Sequence, residues 1–256
     1  MPGIRRCEVI ENCQPHNITG ATWEYEGIKG DGRKPEEIDR MKGQNCIIVA
    51  GASNVYNDYE EARRFLNGKP YALLAVNDIG QFHQDNVYAI VTAHPEWAMG
   101  WLNWRLSKNI HNSNTGQLLN KPFIYSDQYH YAVDTVWSGL GNQVGTSGML
   151  ACLIAICMGF DKIILCGMPL DWSLGHFYAP LYRQFPDPIL EHIVKKSWEY
   201  ALNRLPTFKD KVRSMSGRSM AWCGRPDTEW LNDKKGGEED DRTDKGFDCE
   251  WQDFPD

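Results

Sequence analysis

Residues 145–167 read GTSGMLACLIAICMGFDKIILCG, and this stretch decides the fold. Its glycine-rich start leads into an uninterrupted apolar run, 149–158, which is long enough for a buried helix. A turn at 159–161 follows, and a second apolar run, 163–166, ends at a glycine as a buried strand does. A glycine-rich entry, a buried helix and a buried strand predict one unit of an α/β fold.

The same alternation of strand and helix extends through the chain on both sides of this unit. Apolar runs predict strands at 45–50, 71–76, 87–92, 123–125 and 211–215, and helix-like stretches lie at 58–66, 96–106 and 189–204. The strand runs are continuously apolar, which is typical of parallel strands covered on both faces. We therefore predict an α/β protein with a Rossmann-like, open and mainly parallel sheet that has helices on both faces.

The chain divides into three predicted segments. Residues 1–43 are polar and rich in glycine, and we expect an irregular N-terminal extension there. Residues 44–231 form the predicted Rossmann-like domain. Residues 232–256 contain ten acidic and four basic side chains, so they carry −6 of the formal net charge of −7, and we expect this tail to be disordered.

Charge and hydropathy argue against several classes of protein. The remaining −1 over residues 1–231 does not favour a broad nucleic-acid surface, and the acidic tail is instead a candidate surface for a basic partner. No apolar stretch approaches the roughly 18–20 residues of a membrane-spanning helix. No secretory signal is visible, and we expect a cytoplasmic location. No group of cysteines and histidines has the spacing of a zinc site, so we predict no zinc ligands.

Polar residues and glycines follow the predicted strands, where open α/β sheets bind their ligands. They are 51–54, Asn77 and Asp78, His94, Asp171, and Ser216 with Arg218. Thr146 or Ser147 is suited to cap the start of the apolar helix, whose free N–H groups can bind a phosphate. Gly145 and Gly148 would allow a ligand to approach that helix start closely.

Several familiar motifs are absent or indicate structure rather than chemistry. No lysine follows the glycines of 145–148, which argues against a P-loop NTPase, and 51–54 lacks the Gly-x-Gly-x-x-Gly fingerprint of a standard nicotinamide-binding half. No Gly-x-Ser-x-Gly elbow of an α/β-hydrolase appears. Trp97, Trp101 and Trp104 recur at helical spacing and predict a core or interface position.

The strand and turn at 47–54 resemble the opening of a nucleotide-binding family. That family contains bacterial sialyltransferase-like glycosyltransferases and hydroxymethylpterin pyrophosphokinase-like Rossmann proteins. The stretch 75–78 is similar to the family's second strand, and 146–171 resembles its Thr/Ser-Ser-Gly, apolar helix, Gly-Phe, strand, Gly and Asp unit. Two features depart from the family pattern. The family's first turn usually reads Gly-x-Gly-Pro-Ser, whereas Ala52-Ser53-Asn54 follow Gly51 here, and Asp171 is displaced by two positions.

The resemblance implies a nucleotide-binding domain and a set of site residues. The nucleotide-binding candidates are Gly51, Ser53, Asn77, Asp78, Thr146, Ser147 and Gly148. In the sialyltransferases a downstream histidine is the general base and tyrosines hold the phosphate. His176 and His192, with Tyr178 and Tyr182, are the positional candidates, and His94 is a second candidate base. From the chemistry itself, Asp171 and His176 are suited to supply a metal ligand and a base, and we choose them as the catalytic candidates.

We expect a nucleotide-dependent transferase, in first place a glycosyltransferase-like enzyme with a nucleotide-activated sugar as donor. Its partner is then a small-molecule nucleotide. A first alternative is an ATP- and Mg²⁺-dependent pyrophosphokinase of the pterin type. A second alternative is a non-catalytic nucleotide-binding or assembly protein on the same fold, which the altered first turn and the displaced Asp171 both favour.

Overall fold

The computed structural model describes residues 21–108, 121–140, 145–170, 175–176 and 188–233. A hairpin of β1 and β2 precedes a seven-stranded sheet. The strands are β1 (Thr22–Tyr25), β2 (Ile28–Asp31), β3 (Asn45–Val49), β4 (Tyr71–Val76), β5 (Ala89–Val91), β6 (Phe123–Ser126), β7 (Thr135–Val136), β8 (Lys162–Cys166) and β9 (Val212–Ser214). The large sheet has the order β7-β6-β5-β4-β3-β8-β9, and every neighbouring pair is parallel.

Helices connect these strands and cover both faces of the sheet. They are α1 (Val55–Leu66), α2 (Ile79–Phe82), α3 (Ala98–Ser107), α4 (Ser147–Cys157), α5 (Pro188–Arg204), α6 (Pro206–Lys211), α7 (Gly217–Cys223) and α8 (Thr228–Asn232), and a 3-10 turn, Pro95–Trp97, precedes α3. The predicted α/β class and the mainly parallel, Rossmann-like sheet are confirmed. Because β4 lies on one side of β3 and β8 on the other, the chain reverses direction across the sheet at β3.

Side chains of the central strands alternate between two buried layers. Cys46 and Ile48 of β3 belong to the core that contains α4, whereas Ile47 and Val49 belong to the core that contains α1. All four side chains are fully buried. The continuous apolar run of this strand is therefore explained by helices on both faces of a parallel sheet.

Helix α4 is buried on every side. Each residue from Met149 to Cys157 is at most 1% exposed, and the helix packs on β3, β4 and β5. A helix that is apolar all round is stable only inside a protein, where every face finds an apolar neighbour. None of the helices in the described ranges combines the length and apolarity needed to span a bilayer.

The structure departs from the predictions at boundaries, in the N-terminal segment and in five short elements that were not predicted, namely α2, β7, α6, α7 and α8. The hairpin 22–31 lies within the segment predicted to be irregular, and its Trp23 and Ile28 are buried in the core. Helix α1 begins three residues earlier than predicted because Val55 is itself a core residue. The predicted acidic tail lies outside the described residues from position 234 onward.

A buried histidine, His83, follows α2 and forms part of a polar cluster with Tyr59 of α1 and Arg105 of α3. His83 is 2% exposed, its Nδ1 accepts a hydrogen bond from the backbone N–H of Asp85 (3.3 Å), and its ring lies edge-on to Tyr59 with the centroids 4.6 Å apart. The guanidinium of Arg105, also 2% exposed, donates to the carbonyl oxygens of Gly80 and His83. Burial lowers the pKa of His83 from 6.5 to about 4.

This lowered pKa predicts acid sensitivity of the folded state. The unfolded chain takes up the proton first, so the stabilisation is fully present above pH 6.5 and is lost as the pH falls towards about 4. We expect His83 to account for a loss of about 3 kcal/mol in the free energy of unfolding over this window. Urea denaturation at both ends of the window should show a smaller loss in His83→Gln, and the exposed-histidine control His94→Gln should behave like the wild type. An equal loss in His83→Gln would contradict the assignment.

Candidate functional site

A pocket of about 330 Å³ opens at the carboxyl edge of the sheet, where β3 is flanked by β4 and β8. Its walls are the residues that directly follow these three strands, the start of α4, and Val194 and Trp198 of α5. This is the point at which the strand order reverses, where open α/β sheets bind their ligands. The pocket therefore lies where the strand-end pattern of the sequence predicted a site.

His176 and Asp78 come together in the wall of this pocket. The Nε2 atom of His176 lies 3.5 Å from Oδ1 of Asp78, and the side chains are 23% and 27% exposed. Backbone contacts fix the histidine, because the N–H of Ser53 donates to the carbonyl of Gly175 (3.1 Å) and Ala52 forms an antiparallel bridge with His176. The pair is thus partly shielded from water yet open to a ligand, as a general base must be.

Gly51 makes this position of the histidine possible. A Cβ atom built on Gly51 would lie 2.6 Å from Nε2 of His176 and 2.9 Å from its Cδ2. No carbon atom approaches a ring nitrogen this closely without displacing it. The missing side chain at the end of β3 therefore lets the imidazole lie directly against the backbone.

Asn77 offers the pocket an acceptor that has no hydrogen-bond partner among the described residues. Its backbone adopts a left-handed conformation with φ of 57°, which asparagine tolerates better than most residues. Its N–H donates to the carbonyl of Val91 (3.0 Å), which ties the end of β4 to β5. The side-chain Oδ1 is buried and unpaired within the described part of the chain. Nearly all buried polar atoms in folded proteins have a hydrogen-bond partner, so this oxygen is a candidate contact for a donor outside the described residues.

The start of α4 supplies backbone N–H groups to the same pocket. The hydroxyl of Thr146 caps the helix by accepting a hydrogen bond from the N–H of Met149 (3.3 Å). The N–H groups of Ser147 and Gly148 precede the first intrahelical bond, so the helix gives them no partner. Thr146 and Gly148 both line the pocket, and the helix start is therefore available to a negatively charged group.

Asp58, which was not predicted as a site residue, stabilises the turn after β8 that lines the pocket. The Oδ2 atom of Asp58 accepts hydrogen bonds from the N–H of Gly167 (2.9 Å), the hydroxyl of Ser216 (2.7 Å) and the amide of Asn54 (3.2 Å). Burial raises the pKa of the Asp58 carboxyl, although the bonds from Gly167 and Ser216 act in the opposite direction. Asp58 thus fixes the turn after β8 rather than entering the pocket.

The described lining of the pocket is almost free of charge. It contains one carboxylate, Asp78, and one histidine, His176, and neither lysine nor arginine contributes to it. Within the described ranges, no three histidine, cysteine, aspartate or glutamate side chains form a group suited to a metal ion. Among the described residues, the groups suited to bind a phosphate in this pocket are therefore the backbone N–H groups at the start of α4 and the imidazole of His176.

The structure gathers most of the predicted site residues and separates others. The pocket lining includes Gly51, Asn77, Asp78, Thr146, Gly148 and His176. Ser53 is not part of the described lining, and its N–H donates to the carbonyl of Gly175, whereas the buried hydroxyl of Ser147 accepts from the N–H of Ala93 (3.0 Å). His94 is exposed beyond β5 and lies 3.7 Å from Glu96, away from the lining. Asp171, Tyr178 and Tyr182 lie outside the described residues.

Comparisons of the chain with known protein families, with curated proteins and with solved structures return no match. The chemistry of the pocket must therefore follow from what its own residues offer. Within the described ranges these are one histidine, one carboxylate, one amide oxygen without a described partner, and one helix start.

Proposed function

We propose that this chain is a nucleotide-dependent transferase, resembling a glycosyltransferase that uses a nucleotide-activated sugar. The observation that carries the proposal is the pairing of His176 with Asp78 in a pocket that also contains the start of α4. The volume of about 330 Å³ is at the lower end of the roughly 300–1,000 Å³ that small-molecule sites occupy. A base and an anion-binding helix start in one pocket are the two elements that group transfer from a nucleotide requires.

The helix start is the proposed binding position for the phosphate of the donor. The backbone N–H groups of Ser147 and Gly148 would donate to its oxygens, and the positive end of the α4 dipole would stabilise its charge. The absence of a side chain at Gly148 permits a close approach. Asn77 Oδ1, buried and unpaired within the described residues, would accept a hydrogen bond from a donor group of the nucleotide.

His176 is the proposed general base. Its imidazole would take the proton from an acceptor hydroxyl as the oxygen of that hydroxyl forms a bond to the sugar carbon. The bond between that carbon and the phosphate oxygen breaks, and the nucleotide leaves with the electron pair and the phosphate. Asp78, 3.5 Å from Nε2, would stabilise the imidazolium that results.

The charges of the lining favour this donor over ATP. The three phosphates of ATP are usually neutralised by a lysine and by Mg²⁺ held on carboxylates. The described lining offers a single carboxylate and no lysine or arginine. A pyrophosphokinase would thus depend on residues outside the described ranges, such as Asp171, for the remaining Mg²⁺ ligands.

A thermal-shift panel of CMP, UDP, GDP and ATP, each with and without Mg²⁺, tests the proposal. We expect CMP, UDP or GDP to raise the melting temperature. At 100-fold excess over Kd the stabilisation is about 2.7 kcal/mol, and this corresponds to roughly 5–10 °C for a chain of this size. Stabilisation by ATP only with Mg²⁺ would favour the pyrophosphokinase, and no shift with any nucleotide would refute both enzymes.

A matched pair of variants locates the binding position. Gly148→Asp places a carboxylate at the start of α4 and should abolish the nucleotide shift by charge repulsion. Gly148→Asn has nearly the same size and strains the same neighbour, the end of the Met168 side chain about 3.0 Å from the new Cβ, but carries no charge. If both variants keep the wild-type shift, the nucleotide does not bind at α4.

A further inference from the structure

A second cavity lies at the opposite edge of the sheet from the candidate site, where α1 ends and β4 begins. It is an open groove of about 920 Å³. Three of the side chains in its described lining are cations and one is a carboxylate, so its net charge is positive. We call it the basic groove, and its lining is Glu60, Arg63, Arg64, Asn67, Gly68, Lys69, Pro70 and Tyr71.

Two of the three cations in the basic groove are not neutralised by the described part of the chain. Arg63 has carboxylate neighbours, because its Nη1 lies 3.3 Å from Glu60 and 3.8 Å from Asp85. Arg64 and Lys69 are exposed, and neither forms an ion pair with a described residue. The negative end of the α1 dipole lies at the same place and lowers the positive potential. Because exposed ion pairs are weak, a single small anion would bind poorly here, and several linked carboxylates fit better.

The described part of the chain ends beside the basic groove. The ammonium group of Lys69 donates to Oδ1 of Asn232 (3.0 Å), the last residue of α8, and the described residues end at Asp233. Helix α8 is fixed to the domain by Trp230, which is 6% exposed and donates its indole N–H to the carbonyl of Asp210 (2.7 Å). The chain therefore continues from a fixed point at the rim of the groove.

Four consecutive carboxylates follow this point within a short distance along the chain. Residues 234–241 read KKGGEEDD, so Glu238 is five residues beyond Asp233. Five extended residues span about 17 Å. The two glycines restrict the direction of the chain less than other residues would. A tether of this length holds the carboxylates near the groove at an effective concentration in the millimolar range.

We propose that the acidic segment 238–241 docks in the basic groove of its own chain, with its carboxylates against Arg64 and Lys69. The tether favours this segment over a separate acidic molecule, which would need a comparable free concentration to compete. The basic partner predicted for the acidic tail is then supplied by the same chain. Docking at this edge of the sheet is independent of the proposed transferase, whose pocket lies at the other edge.

Carbodiimide cross-linking of the full chain tests this contact, because the reagent joins a lysine to a carboxylate that touches it. We expect mass spectrometry to find Lys69 joined to residues 238–241 at about 0.1 M salt. The cross-link should disappear at about 1 M salt, where the Debye length falls from about 10 Å to about 3 Å. Lys196 is the control and should not be joined to this segment, because it is exposed on α5, which packs in the core on the other face of the sheet.

Charge variants of Arg64 test the contact by a second measurement, the rate of tryptic cleavage after Arg242. Docking should shield this bond, which directly follows the acidic segment. We expect Arg64→Glu to be cleaved roughly 3- to 10-fold faster than the wild type, since it replaces an attraction by a repulsion. Arg64→Lys keeps the charge and should be cleaved at the wild-type rate. Lys196→Glu, with the same change of charge on the other face, should also match the wild type.

Each result supports or overturns the proposal. Absence of cross-links between Lys69 and 238–241, or equal cleavage of Arg64→Glu and the wild type, overturns it. An equal mixture of unlabelled and nitrogen-15-labelled chains identifies the source of the segment. Cross-linked peptides that combine a labelled and an unlabelled half overturn the proposal, because the groove then binds another copy. Docking without a nucleotide shift refutes the transferase alone, and a nucleotide shift without docking refutes the groove alone.

Discussion

The Gly167→Ala variant is expected to lose roughly 2–6 kcal/mol of its free energy of unfolding. Gly167 has φ of 64°, a conformation that an alanine adopts only with strain. Its new Cβ would also lie 2.5 Å from Cβ of Val55 and 2.6 Å from the carbonyl oxygen of Ala50. These neighbours belong to the start of α1 and the end of β3, so neither moves without disturbing the sheet. Urea denaturation followed by circular dichroism measures the loss.

The matched control for this variant is Gly100→Ala. Gly100 lies in α3, and no heavy atom lies within 4 Å of a Cβ built on it. Alanine stabilises a helix relative to glycine by up to about 1 kcal/mol, so this variant should be at least as stable as the wild type. If Gly167→Ala were also within 1 kcal/mol of the wild type, the close packing behind the pocket would be refuted.

Replacing His176 by asparagine is expected to lower the transfer rate by a factor of about 10²–10⁴, the usual contribution of a general base. Nucleotide binding should change little, because the proposed phosphate position at α4 does not involve the imidazole. The rate is measured as release of nucleotide from the sugar donor whose base the thermal-shift panel identifies. A loss of rate without loss of binding assigns the histidine to the chemical step.

His192→Asn is the control for the histidine experiment. His192 is the other downstream histidine of the sequence and is exposed on α5. Its replacement should leave the rate unchanged. Wild-type turnover in His176→Asn would remove this residue from the mechanism. Nucleotide binding with no turnover in the wild type itself would favour the non-catalytic alternative.

Six of the seven strands of the large sheet could be predicted from the sequence because their signals are local, whereas the two-residue strand β7 has no apolar run of its own. The apolar run of α4 and the glycines on either side of it indicate a buried helix and a following strand without reference to any other part of the chain. The edge of the sheet that carries the pocket follows from the same signals, since parallel strands end together. Six of the predicted site residues therefore line one cavity: Gly51, Asn77, Asp78, Thr146, Gly148 and His176.

What the sequence did not predict depends on contacts between distant residues. The fit of His176 against Gly51 joins positions that are far apart in the chain, and no periodicity encodes it. Asp58 was not selected as a site residue, although it lies one turn after the buried Val55 and so on the core side of α1. Trp97 was expected to lie in a core or an interface. Helix α3 begins after it, and its side chain in the 3-10 turn is 63% exposed, so it does not belong to the core.

The position of β3 between β4 and β8 has a consequence for the order in which the protein folds. Pairing of β3 with β4 needs only residues 45–76, whereas its pairing with β8 must wait for residue 166. During synthesis the first half-sheet therefore forms with one side of its central strand open, a state prone to wrong pairing until the later segment arrives. Contacts of such long range also slow folding. The pocket, which needs residues from 50 to 198, is complete only after nearly the whole domain has been made.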